Sequence, residues 1–173
     1  MKRLFLAIPI PETIKAEIAR FQSSIDTPLK WISEEKLHIT IHFFGNIEDS
    51  LLPQIKKTIK SITDKTPGFT LELNSFVSKS SKFQSMIWGG FSESTSFITL
   101  ATQIAKSMGA EKVRKPLPHI NLVRCKSKIK MKELPLRLPQ TFPIEVTSIE
   151  LWESKLSPKG ATYSSLKSFI LHG

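Results

Sequence analysis

Two short segments carry the residues best suited to chemistry. His38 is followed by Ile39 and Thr40, and His119 by Ile120 and Asn121. Each sits in an alternating stretch, Leu37-His38-Ile39-Thr40-Ile41 and Pro118-His119-Ile120-Asn121-Leu122. In a strand, residues two apart share a face, so each imidazole travels with a hydrogen-bond donor while its apolar neighbours turn inward. Two such pairs converging on one cleft suit in-line displacement at phosphorus. One imidazole takes a proton from the attacking water and the other gives one to the leaving oxygen opposite. An unperturbed imidazole titrates near pH 6.5, which leaves both forms available at neutrality. Thr40 and Asn121 would donate to non-bridging phosphate oxygens. A lone histidine in a strand is more often a packing or surface residue. The echo of one segment by the other, in a chain of four histidines, is what favours chemistry. By simple alternation His42 joins His38 and Thr40 on the same face, at the edge of the cleft. A zinc site of His38, His42 and His119 is the competing reading.

The elements that must hold these residues follow from periodicity. Leu4 to Ile8 reads as a short buried strand ended by Pro9 and Pro11. Ile14, Ile18, Phe21 and Ile25 mark one face of a helix closed by Pro28, and Leu52, Ile55, Ile59 and Ile62 mark another after Asp49. Strands are expected at 37–43, 69–74, 86–91, 116–125, 142–152 and 163–171, and a third helix at 94–109. Trp88, Trp152 and most phenylalanines read as core. Helices alternate with strands, but the connections are partly hairpin-like, so the class is α+β rather than doubly wound. The paired histidine segments suggest a duplicated strand–helix unit with pseudo-two-fold symmetry.

Composition narrows the partner. The net charge is +10, from 25 Lys+Arg against 15 Asp+Glu, which favours a polyanion such as nucleic acid. A hydrophobic share of 40% is enough for a packed core, so a disordered chain is not expected. The single cysteine, Cys125, excludes an internal disulfide and a Cys-based zinc cluster. The first apolar run is too short for a signal peptide and no run approaches a membrane span, so the expectation is a cytoplasmic protein without a membrane partner. Lys126, Lys128, Lys130 and Lys132 alternate, either as a guarded edge strand or as a track for an RNA backbone. Arg124 suits phosphate contact, yet simple alternation puts it on the face opposite His119. Trp31 and Tyr163 are candidates for stacking on a base, with core packing equally open for Trp31.

These motifs resemble those of the two-histidine (2H) phosphoesterase superfamily, in its RNA 2′,3′-cyclic phosphodiesterase branch, also called 2′-5′ RNA ligase. The resemblance runs nearly end to end. It takes in Arg3-Leu4-Phe5-Leu6-Ala7-Ile8, Trp31 before Leu37–Gly45, Leu117–Arg124, Leu151–Leu156, Gly160 and Tyr163. It implies one bilobal domain over 1–173, with two antiparallel sheets flanked by helices and a cleft between the lobes. It implies no metal or cofactor, and hydrolysis of an RNA-terminal 2′,3′-cyclic phosphate to a 2′-phosphate, with weak reversible 2′-5′ joining. His38 is then the acid toward the leaving 3′ oxygen and His119 the base toward water, with Thr40, Asn121, Arg124 and Tyr163 binding substrate. The partner is RNA with cyclic phosphate ends, or a cyclic nucleotide, and the protein is expected to be a monomer. One departure stands out: Asn121 occupies the place of the family's second Thr or Ser. That keeps open a module of the same fold that binds RNA or nucleotide with little turnover.

Overall fold

The computed structural model describes residues 1–25, 29–80, 85–125, 137–158 and 160–172. The alternating lysines at 126, 128, 130 and 132 lie outside the described residues. In chain order the elements are β1 (Lys2–Pro9), α1 (Glu12–Ser23), β2 (His38–Ile47), α2 (Leu52–Thr63), β3 (Phe69–Ser80), β4 (Ser85–Phe91), α3 (Thr95–Ser107), β5 (His119–Cys125), β6 (Arg137–Val146), β7 (Ser148–Ser157) and β8 (Gly160–Ile170).

All strand pairs are antiparallel, in the order β6-β3-β4-β5-β2-β1-β7-β8. The architecture is α+β, as the periodicities predict. The two expected sheets are two four-stranded halves of one hydrogen-bonded sheet, joined at the single pair Ile39↔Ile120. The halves repeat one motif. In β1–α1–β2 the second strand folds back beside the first, and β4–α3–β5 does the same. His38 ends up opposite Pro9 and Thr40 opposite Ala7; His119 is opposite Gly90 and Asn121 opposite Trp88.

Residues 142–152, expected as one strand, divide between β6 and β7 at Thr147. That residue joins strands six places apart in the sheet. At about 4.8 Å per strand a flat sheet would separate them by roughly 29 Å, so the sheet must curl.

The helices bury their apolar stripes on one side. Ile14, Ile18 and Phe21 of α1, Ile55 and Ile59 of α2, and Phe97, Leu100 and Ile104 of α3 join Leu4, Leu6, Ile8, Ile39 and Ile120 in one core. Each such side chain, once buried, contributes about 1.5–3 kcal/mol. Ser94 caps α3 by accepting from the Phe97 amide at 3.3 Å. Phe21 stacks on Phe76 of β3 at 3.7 Å between centroids, so α1 braces both halves. On the other side of β1, Phe5 and Ala7 form a second, small cluster with Trp152 and Tyr163. That side holds the cleft.

Candidate active site

A cavity of about 620 Å³ opens on this face. His38, Thr40, Asn121, Arg124 and Tyr163 all line it. His119 is not among its lining residues. Its ring stacks on Trp88 at 4.1 Å and 24°, and its charge still reaches His38.

Both histidines are fixed in the same way. His38 Nδ1 lies 2.7 Å from the Lys36 carbonyl oxygen, and His119 Nδ1 lies 2.9 Å from that of Leu117. A carbonyl only accepts, so Nδ1 carries the hydrogen in each ring and Nε2 is left for a ligand. The anchor is the carbonyl two residues earlier in both cases, a local rule repeated in the two halves. His38 packs against Phe5, Trp152 and Tyr163, with centroids 4.9, 5.4 and 5.4 Å away. Burial in this aromatic box pushes its pKa below the ordinary imidazole value. The Lys36 carbonyl acts in the opposite direction, and the charge of His119 adds to the lowering.

Arg124 owes its place to a break in alternation. The register shifts between Ile87 and Trp88, so that Trp88 faces Asn121 while Ile87 faces Val123. Leu122 and Val123 are both fully buried. The extra residue changes the phase of β5, and Arg124 emerges into the cavity with Asn121. The strap from α1 to β2 supports this bulge, because the Ile32 amide donates to the Leu122 carbonyl at 2.8 Å and Trp31 bridges to Val123. Trp31 itself lines the cavity and meets Phe21 edge-on at 6.0 Å, so it serves wall and core together.

A similar irregularity corrects the reading of His42. The β1–β2 register shifts between Leu6 and Ala7, leaving Thr40 opposite Ala7 but His42 opposite Leu6, a core residue. His42 therefore turns away from His38, rests edge-on against Phe44 at 4.8 Å, and leaves the cleft edge to Phe43. Among the described residues no group of three His, Cys, Asp or Glu side chains could hold a metal ion. Trp88 is corrected too: half-buried, it supports the His119 ring rather than joining the main core.

Electrostatically the cavity is one-sided. Among the described residues Arg3, Lys30, Lys36 and Arg124 line it and no carboxylate does. Such a wall favours an anion, and the low-dielectric aromatic floor strengthens the attraction.

Residues 8–88 match the family described as LigT-like phosphoesterase. A curated RNA 2′,3′-cyclic phosphodiesterase of Methanocaldococcus jannaschii is 30% identical, over 96% of this chain and 99% of that protein. The chain belongs to the LigT-like phosphoesterase family. A second curated RNA 2′,3′-cyclic phosphodiesterase, from Thermus thermophilus, is 27% identical over 99% of this chain and 91% of its own length. Among solved structures, E. coli LigT complexed with NADP+ superposes with a TM-score of 0.84, at 25% identity and 99% coverage of both chains.

Several cavity residues of this LigT-like phosphoesterase are absent from the sequence-based site: Arg3, Lys30, Lys36, Phe43 and Ser154. Arg3 and Phe5 alternate with the core residues Leu4 and Leu6, and that spacing was the available signal. Asn121 shows a tension of its own, for its Oδ1 is buried with no hydrogen-bond partner among the described residues. An orphaned acceptor costs about 1–3 kcal/mol. Asn121→Thr is therefore expected to raise the melting temperature by about 2–4 °C for each kcal/mol recovered. A fall on thermal denaturation would contradict this account.

Proposed function

We propose that this phosphoesterase hydrolyses the 2′,3′-cyclic phosphate at RNA 3′ ends to a 2′-phosphate, with His38 and His119 as acid and base and with no metal. The observation that carries this reading is the pair of equivalent histidines. They come from the two halves, and both have Nδ1 anchored and Nε2 available; His38 lines an anion-favouring cavity, and His119 stands close enough for its charge to be felt at His38. Water attacks phosphorus and passes its proton to His119 Nε2 as the P–O3′ bond breaks. His38 Nε2–H protonates the departing 3′ oxygen. Thr40, Asn121 and Arg124 hold the non-bridging oxygens, and their donors supply the charge stabilisation that a metal would otherwise give. Tyr163 borders the ribose and base. A 5′-hydroxyl in place of water gives a weak 2′-5′ joining reaction by the same geometry.

The names of the relatives support the substrate. The LigT neighbour complexed with NADP+ adds support, since that molecule bears a phosphate on a ribose 2′ oxygen. The reading takes 1–173 as one bilobal domain working as a cytoplasmic monomer. Among the described residues no helix is long and apolar enough to cross a membrane.

Phosphorus NMR of the protein with a short RNA ending in a 2′,3′-cyclic phosphate, EDTA present, tests the proposal. Conversion to the 2′-phosphate is expected. An unchanged spectrum with retained binding would point instead to a binding module, and Asn121 would then be the first residue to restore to Thr.

The pH dependence has a predicted sign. His38 must be protonated to act as acid, and in the free protein its pKa lies below the ordinary value. The limb of kcat/KM set by His38 therefore falls as pH rises through a value lowered from that of an ordinary imidazole. Bound phosphodiester favours the imidazolium, so the matching limb of kcat is expected at higher pH. The same lowering means that the unfolded chain takes up this proton first. Stability should thus decline as pH falls through about 6.5. Coincident limbs in kcat and kcat/KM would count against His38 as the acid.

A further inference from the structure

The cavity, at about 620 Å³, is larger than one phosphate needs, and part of its wall has a polar character of its own. Arg3 lies there with its guanidinium 4.6 Å from the centroid of the Phe43 ring. It forms no ion pair or hydrogen bond with any described residue. Phe43 is 47% exposed, so the ring and the cation over it are open to a ligand. On the neighbouring strand Ser154 is only 7% exposed, lines the same cavity, and has a hydroxyl with no partner among the described residues. A hydroxyl that opens into the cavity can add a contact to a ligand there, and a guanidinium over a ring with no ion-pair partner has donors left for an incoming anion.

The register sets the Arg3–Phe43 pair apart from Thr40. Thr40 stands opposite Ala7, and Phe43, which carries the Arg3 guanidinium, stands opposite Phe5. Two residues along a strand is about 7 Å, on the order of one nucleotide step. The geometry points to a second phosphate subsite at Arg3 and Ser154. It takes the diester phosphate on the 5′ side of the terminal nucleotide, so an RNA end is preferred over a cyclic mononucleotide. The inference rests on the proposed substrate and deepens it. The planar guanidinium fork suits phosphate oxygens, and the Ser154 hydroxyl completes the contact from the β7 side.

The test is a pair of calorimetric titrations with product-like ligands, adenosine 2′-monophosphate and the dinucleotide adenylyl-adenosine 2′-phosphate. The wild-type protein is expected to bind the dinucleotide about 10-fold more tightly or better. In Arg3→Gln that ratio should collapse toward one, and the slope of log K against log salt for the dinucleotide should shrink by about 0.7. Ser154→Ala should reduce the ratio about 3-fold and gives an independent readout if Arg3→Gln does not fold. No wild-type preference, or equal losses for both ligands, overturns the subsite. Hydrolysis of the corresponding 2′,3′-cyclic forms is measured alongside. Binding without hydrolysis sinks the hydrolase reading, while the binding ratio still decides the subsite.

Discussion

Replacing His119 with alanine is expected to lower kcat/KM on an RNA-terminal 2′,3′-cyclic phosphate by about 10²–10⁴-fold. The loss should fall mainly on kcat, because a proton acceptor for water acts in the transition state rather than in binding. His119 is half-buried and stacks on Trp88, so the variant should fold. His38→Ala is expected to cost a comparable factor in rate and more in stability, since its ring fills the box of Phe5, Trp152 and Tyr163. The double variant should be little worse than the poorer single one, as groups that act in one step are not additive. Steady-state kinetics on all three proteins would check this. A His119→Ala enzyme at full rate would sink the mechanism.

Arg124→Ala should produce the next largest effect, a loss of about 10²–10³-fold in kcat if its guanidinium holds a phosphate oxygen as charge develops. Arg124→Lys should recover only part of it, because an ammonium cannot make the paired contacts of a guanidinium. The cation is exposed and belongs to no ion pair among the described residues, so neither variant should disturb the fold. A loss below about 3-fold for Arg124→Ala, where a single transition-state donor should give far more, would move Arg124 out of the site and leave the bulge at Leu122–Val123 without a functional reason.

Much of this molecule is legible in the sequence, and the failures share a cause. The helix stripes and most strands follow directly from periods of 3.6 and 2. The stretch 142–152 does not, because apolar alternation runs on both sides of Thr147, where the chain changes halves; only a slip of phase, from Phe142, Ile144 and Val146 to Ile149 and Leu151, marks the break. The elements carrying His38-x-Thr40 and His119-x-Asn121 could be placed because two residues along a regular strand always share a face. Beyond those triplets the inference stops, since each strand has an irregularity one or two residues later. The first turns His42 to the core and the second turns Arg124 to the cleft. Alternation alone gives the opposite face for both. The side-by-side apolar pair Leu122-Val123 is a trace of the second bulge. Ser154 was hidden for another reason: it reaches the cavity from a chain segment far from either histidine, and no local pattern relates it to them.

The pairing of β1 with β7 has a kinetic consequence. Strands β3 to β6 span 69–146 in one stretch, so the half carrying His119 can assemble from nearby chain. The half carrying His38 cannot, because Leu4 pairs with Glu153 across nearly the whole length. Closing a loop that long is entropically unfavourable and is repaid only when both partners meet. The middle of the chain should therefore gain protection from hydrogen exchange first, while β1 and β7 wait for the two ends to find each other. The histidine site is then among the last features to form during refolding, and binding at the cleft reports on a completed chain.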